Sequence, residues 1–266
     1  MGMGMDETEP TGDHRAAARS ADRKPADDDR ELRSSIAGLG TLLAAQLDIE
    51  ELLTRVASLA VRAVPGAEGA GLTLLEDDRA DIIVTTAPFV GEVDSIQYSI
   101  KQGPCVSAAA EGRTVLSGSL GGDHRWPQFG SRVARLGVHS ALSLPLITGT
   151  GVLGALNVYA YPKHVFDERA AELGELFAAP AAVAVQNAQV LAQSQRLTRQ
   201  LQHALDTRAV VDRAVGIMMS RSGASEQEAL ARLRTMSQRE HEKLLVVAQR
   251  IVDEAVRRAR SRRAGD

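Results

Sequence analysis

The stretch from Arg208 to Val252 constrains this chain most, because it reads as three short amphipathic helices separated by two breaks. In Arg208-Ala-Val-Val-Asp-Arg-Ala-Val-Gly-Ile-Met-Met-Ser-Arg221, the residues Val210, Val211, Ala214, Val215, Ile217 and Met218 recur at helical spacing, with Met219 close by. Gly216 would permit a close helix contact at an entropic cost. Ser222-Gly223 is a helix stop. Ser225-Glu-Gln-Glu228 has the form of a capping box, in which the serine caps the helix and the glutamate three residues on reaches back. The second helix then has Ala229, Leu230, Leu233 and Met236 for its core side, and the third has Leu244, Leu245, Ala248, Ile251 and Val252. A unit this small cannot enclose a substrate cleft. Its polar sides carry Arg213, Arg221, Arg232, Arg234, Arg239, Lys243 and Arg250. That is either a solvated face or a surface for nucleic acid.

Charge is divided along the chain. The total is -3, but from Leu205 onward there are 13 Lys and Arg against 9 Asp and Glu, and before it 18 against 25. A basic end on an acidic body fits a nucleic-acid-binding module joined to something else. Aromatics are only 3% of residues, so a platform of several stacking rings cannot be built. The single cysteine, Cys105, rules out a disulfide within the chain and a cysteine-rich zinc site, and it suits a reducing cytoplasm. No uncharged apolar run approaches the ~20 residues of a membrane span, and the start lacks a signal-peptide pattern. The expectation is a soluble, cytoplasmic protein.

Upstream, residues 1–30 are polar and charged, and disorder is expected there. A helical pattern begins at Glu31, and Asp48-Ile-Glu-Glu51 caps a second helix that Pro65-Gly66 stops. Gly71-Leu-Thr-Leu-Leu75 and Asp81-Ile-Ile-Val-Thr-Thr86 read as a hairpin across the turn Glu76-Asp-Asp-Arg79. Thr114–Ser117 is a short strand, and His139–Ile147 with Val152–Tyr159 forms a second hairpin. Short helices are expected near Pro104–Glu111 and Pro127–Leu136. This is the pattern of an antiparallel α+β sheet.

A long helix starts near Asp167. Val183, Asn187, Val190, Ser194, Leu197, Leu201, Ala204, Arg208 and Val211 then alternate at spacings of four and three. A parallel dimeric coiled coil would use that seam, and so would a helix packed on its own domain. Pro180 should kink or interrupt the helix, marking a joint between its sheet-packed and free-standing parts.

Four residues of the sheet region are candidates for a ligand pocket: Tyr98, Cys105, Trp126 and His139. Gly103-Pro104 places a helix N-terminus at Cys105, where a thiol could have a lowered pKa. The alternative is a small apolar side chain in the core. Trp126 could lid a pocket or anchor helix to sheet. The histidines at 124, 139 and 164 are scattered, so no metal site and no cofactor is expected. A dinucleotide fingerprint, a phosphate loop and a nucleophile elbow are all missing from the sequence, and no enzyme activity is expected.

Two resemblances follow from these residues. Arg208–Val252 resembles the ANTAR domain, an RNA-binding antitermination module. The likeness rests on Arg208, Asp212, Ala214-Val-Gly-Ile-Met218, Ser225 with Glu228-Ala229, and Ser237-Gln238. Val215 stands where many members have lysine, and His241 where many have asparagine. Gly66–Asn187 resembles a GAF domain of the kind fused to ANTAR in actinobacteria, on Gly71–Leu75, Gly103-Pro-Cys105, Arg125-Trp-Pro-Gln-Phe129, Ser140–Pro145 and Gly151–Asn157.

The resemblance implies a GAF sensor over 31–180, with an antiparallel sheet of about six strands flanked by helices. A coiled-coil linker over 181–204 would join it to a three-helix ANTAR module over 205–256 and a basic tail over 257–266. It implies a homodimer whose modules bind paired stem-loops with six-base loops in mRNA, controlling transcription termination or translation in response to a small molecule. Arg208, Arg213, Arg221, Arg232, Arg234 and Lys243 are the expected RNA contacts, chosen by charge and expected exposure. Two alternatives are a ligand-sensing protein-interaction or dimerisation module and a DNA-binding helix-turn-helix. A GAF-type methionine sulfoxide reductase is set aside, because that chemistry wants several cysteines.

Overall fold

Pro25 opens the first helix, α1 (Pro25–Ala44), in a computed structural model that describes residues 24–44, 47–76 and 79–263. The segment expected to be disordered through residue 30 therefore ends sooner; its first 23 residues lie outside the described ones. Proline suits a first helical turn because its missing N–H has no partner to lose there. Asp27 and Asp28 complement the positive end of the helix dipole. In α2 (Ile49–Ala63), Asp48 accepts from the Glu51 amide at 2.8 Å, as its spacing predicts. Arg62 reaches Glu31 at 3.1 Å and ties α2 to α1.

Five strands form one antiparallel sheet: β1 (Gly69–Glu76), β2 (Arg79–Thr85), β3 (Val115–Ser117), β4 (Ser140–Thr148) and β5 (Gly151–Ala160), in the order β2-β1-β5-β4-β3. Both expected hairpins form; the tip of the first, residues 77 and 78, lies outside the described residues. Among the described residues the count is five, against about six expected. Between β2 and β3 the chain makes two helices instead, α3 (Pro88–Ile100) and α4 (Pro104–Glu111), and Gly103 turns between them at φ +146°. Of these, α4 is the helix expected near Pro104; α3 is not foreseen. After β3, α5 (Pro127–Val133) continues into a single 3-10 turn.

The two-residue period of the strands separates the sheet faces. Ala70, Leu72 and Leu74 of β1, Leu142, Leu144 and Leu146 of β4, and Leu156 and Val158 of β5 share an apolar layer with α1, α2 and the long helix. The opposite face lies under α3, α4 and α5 and is far less apolar. It presents Gly71 and Thr73, Asn157 and Tyr159, Ala141 and Ser143.

The long helix, α6 (Glu168–Ser222), is one element of 55 residues that runs through Pro180. Proline in a helix interior costs ~3 kcal/mol. Phe177, Ala178, Ala181, Ala182 and Val185 are all buried in the apolar layer on both sides of it, and one buried phenylalanine or valine is worth ~2 kcal/mol. Packing therefore holds the helix through the proline, and the sheet-packed part runs past Pro180 to Val185, with Ala188 partly buried against the same layer.

Beyond it, Val190, Leu197, Leu201 and Leu205 are each 55–63% exposed. Val211 does not continue this seam, since it packs into the C-terminal core.

The chain divides into two units, Met1–Ala192 and Gln193–Asp266. In the second, the end of α6, α7 (Glu226–Glu240) and α8 (Leu244–Arg263) enclose Val210, Ala214, Val215, Ala229, Leu233, Val247, Ala248 and Val252. The region expected as a basic tail from 257 is helical through Arg263. No helix among the described residues is long and apolar enough to cross a membrane.

Candidate functional site

The covered face of the sheet has a polar floor. In the pairing register, Gly71, Asn157 and Ser143 lie side by side on β1, β5 and β4, and Thr73 follows two residues after Gly71. All three polar side chains are fully buried. Ser143 Oγ has no hydrogen-bond partner; Thr73 Oγ1 and the Asn157 amide make no hydrogen bond of good geometry, but they lie beside the Tyr98 hydroxyl and the Cys105 thiol. Leaving such a group unsatisfied costs ~1–3 kcal/mol, so an apolar floor would be more stable. A buried polar row of this kind departs from the usual pairing of buried polar groups.

Over the floor stands α3. It turns Val90, Val93, Asp94 and Gln97 inward, at the spacing of one helix face. Tyr159 donates to Asp94 Oδ1 at 2.6 Å, and Gln97 Nε2 donates to Asp94 Oδ1 and to the Tyr159 oxygen, both at 3.1 Å. Gln97 Oε1 accepts from the backbone N–H of Cys105 at 3.0 Å and so fastens α3 to the first turn of α4. Burial pushes the Asp94 carboxyl up to about 7, against the two hydrogen bonds that favour its charged form. Asp94 Oδ2 has no partner and lies against the bare backbone of Gly71.

Two of the four expected pocket residues belong to this cluster. Tyr98 and Cys105 meet at 2.9 Å between hydroxyl and sulfur. Cys105 does sit in the first turn of α4, but its thiol is buried. Burial, reinforced by the nearby Asp94 charge, pushes it up to about 12, the opposite of a reactive thiolate. Burial also raises the Tyr98 phenol.

Trp126 is a packing anchor, buried with Phe129, Val133 and Tyr159. Its indole donates to Ser107 of α4 at 2.9 Å, and Arg125 lies 4.2 Å over its ring. Arg125 also holds Asp123 at 2.7 Å and, with Ser117 donating to the same carboxyl, keeps it down at about 2. His139 precedes β4; its backbone bonds to Leu120 and Ala160, and its Nδ1 is buried without a partner. No hydrogen bond among the described residues links it to the Asp94 cluster.

Asp94, Gln97, Thr73, Ser143 and Asn157 are not among the expected site residues. Thr73, Ser143 and Asn157 are polar residues within largely apolar strands, but only the register brings them onto one face.

In the helical unit, α6 ends at Ser222 and Gly223 adopts φ +67°, the left-handed stop its sequence predicts. Ser225 accepts from the Glu228 N–H, and Glu228 accepts from the Ser225 N–H at 2.9 Å, completing the capping box. His241 closes α7 at φ +54°. Val215, at a position where a lysine was the comparison, is core. Gly216 is exposed with nothing within 4 Å of a built Cβ, so it does not serve a close helix contact.

Arg208, Arg213, Arg221, Arg232, Arg234 and Lys243 are all exposed. Arg208 faces Asp212 at 3.7 Å. Arg232 and Arg234 lie two positions apart on α7 and so point to different sides; the six do not make one face. Arg250 is engaged by Glu240 and Glu242. Among the described residues no group of His, Cys, Asp and Glu is placed to hold a metal ion.

Comparison with known proteins agrees with both units. The GAF domain family matches residues 46–186 and the ANTAR domain family residues 199–252. No curated protein matches the chain. Similar solved structures include the GAF domain of a phosphoenolpyruvate-protein phosphotransferase from Coxiella burnetii, at 16% identity over 62% of this chain and 98% of that one, TM-score 0.48. A free methionine-R-sulfoxide reductase from Neisseria meningitidis, in complex with its substrate, matches at 18% identity over 60% and 91%, TM-score 0.46. The chain belongs to the GAF domain family and carries an RNA-binding ANTAR domain at its C-terminal end, the arrangement of a GAF–ANTAR regulator.

Proposed function

We propose that this protein is a cytoplasmic, non-enzymatic regulator that reads a polar small molecule through its GAF domain and binds RNA through its ANTAR domain. The small molecule settles on the floor of Thr73, Ser143 and Asn157, where it hydrogen-bonds to these side chains and meets Asp94. The RNA is a pair of stem-loops with six-base loops in mRNA, and holding them alters transcription termination or translation. Unpaired loops expose base edges, and exposed arginines supply phosphate and base contacts.

The observation that carries this reading is the continuity of α6. The helix that packs on the sensor sheet through Phe177 and Val185 supplies Val210 and Ala214 to the core of the RNA-binding module. The exposed apolar positions between them suit a second copy of the chain, which would present two modules to two loops. The test is binding to a tandem hexaloop RNA against the same stems with scrambled loops and against duplex DNA. Preference for the hexaloop pair supports the reading; equal affinity for all three overturns it.

A further inference from the structure

Helix α8 outlasts its own packing. Val247, Ala248 and Val252 are its buried residues, and from Val256 on every residue whose side chain is described is exposed. The helix nevertheless continues to Arg263, about 16 Å past Val252 at 1.5 Å per residue. The ANTAR match also ends at Val252. The projecting part reads Val256-Arg-Arg-Ala-Arg-Ser-Arg-Arg263, with five arginines in seven residues.

Two features separate this arm from an ordinary solvated helix end. Two of its three described arginines are uncompensated: Arg258 pairs with Glu254, while Arg257 and Arg260 have no ion pair among the described residues. Arg250, inside the packed part, is by contrast held by two glutamates. The arm also has no apolar face. Successive residues turn by about 100°, so positions 257 and 260 share one side, while 258, 262 and 263 fall at other angles around the axis, and Val256 is the last large apolar residue. A helix lying in a membrane surface needs an apolar stripe, which is missing here. A helix charged around its axis suits a partner that offers negative charge along its length, as phosphate backbones do.

We propose that residues 257–263 of α8 form a second RNA-binding element, a basic arm that grips the phosphate backbone of the stem while the rest of the module engages the loops. The arm adds affinity without sequence preference, because phosphate contacts carry no base information. It rests on the RNA-binding reading above.

The test uses the full chain and a variant with Arg257→Gln, Arg258→Gln, Arg260→Gln, Arg262→Gln and Arg263→Gln. Glutamine keeps helix propensity close to that of arginine, and circular dichroism checks that it does. Both proteins are titrated with the tandem hexaloop RNA and its scrambled-loop counterpart over a range of salt. The variant is expected to bind both RNAs at least tenfold more weakly at low salt, with their affinity ratio unchanged. Its slope of log affinity against log salt should be shallower by about 2 to 4, each lost phosphate contact accounting for roughly 0.7–0.9. Replacing the same five residues with lysine should restore most of the slope. Unchanged affinity and slope in the glutamine variant overturn the arm and leave the RNA reading standing. Loss of only the hexaloop preference also overturns it, because the arm would then be reading sequence. A wild-type protein that binds neither RNA overturns the functional reading and the arm with it.

Discussion

Tyr159 on β5 donates its phenolic hydroxyl to Asp94 on α3 at 2.6 Å, joining sheet and covering helix across 65 residues of chain. No ion pair among the described residues neutralises this carboxyl. Gln97 completes the triangle and passes the connection to α4 through the Cys105 amide. On the proposed reading, a molecule reaching the polar floor would meet this latch first.

The Asp94 carboxyl should make the fold less stable as pH rises. It titrates at 3.8 in its unperturbed state and at about 7 when folded. Between those values the folded state keeps a proton that the unfolded state has released. The stabilisation is therefore fully present below 3.8 and is lost as pH climbs through the folded value. The amplitude is on the order of a few kcal/mol. Asp94→Asn should flatten the decline, seen as a urea midpoint that no longer falls between about pH 4 and about pH 7. Parallel midpoint curves for wild type and variant would mean that Asp94 does not titrate in that window.

Gly71→Ala should destabilise the sensor unit. A Cβ there would stand 2.3 Å from Asp94 Oδ2 and 3.1 Å from a Val90 methyl. Either α3 lifts or Asp94 leaves its bonds, and overpacking of this kind costs about 1–3 kcal/mol. Gly149→Ala has nothing within 4 Å and serves as the control. Thermal melts of the two variants should differ by several degrees; coincident melts would contradict the packing of α3 on β1.

The exposed leucines of α6 should set the oligomeric state without affecting the fold of one chain. Leu197 is 55% exposed and Leu201 58%. Changing both to glutamate removes little intrachain burial, but it places like charges across a two-stranded seam. Sedimentation velocity should show wild-type dimer and variant monomer with unchanged circular dichroism. A variant that sediments like wild type would move the interface elsewhere.

How far the fold was legible depends on which residues occupied core positions. The strands and α2 announce themselves because apolar residues fall at the inward positions, and α7 because Gly223 ends the helix before it and its cap is written in Ser225 and Glu228. Helix α3 does not, since two of its four buried positions are Asp94 and Gln97. The polarity that breaks the helical pattern is the same polarity that makes the site. Tyr98 and Cys105 could be singled out by type alone. Thr73, Ser143 and Asn157 look like strand residues until the register sets them side by side. The continuity of α6 through Pro180 was likewise hidden, because a local rule against proline was outweighed by packing on a sheet that folds from distant residues.

Removing the α7 cap should loosen the RNA-binding unit selectively. Ser225→Ala deletes the acceptor for the Glu228 N–H, a loss of about 1 kcal/mol. Hydrogen exchange should accelerate in the first turn of α7 and leave the sheet amides as they were. Equal protection in wild type and variant would show that the box contributes nothing to holding α7.

Gly216 offers the sharpest separation of stability from function. It lies within α6, exposed, with open space where a side chain would stand. A glycine there gives up about 1 kcal/mol of helix stability relative to alanine and gains no packing in return. Local rules broken without structural compensation are expected where a surface works. Gly216→Ala should therefore raise the melting temperature of the module by a few degrees and at the same time weaken hexaloop RNA binding, because the added methyl keeps the RNA off the backbone. Higher stability with full RNA affinity would place Gly216 outside the RNA contact. An unchanged melting temperature would mean that the helix at this point is not limited by glycine at all.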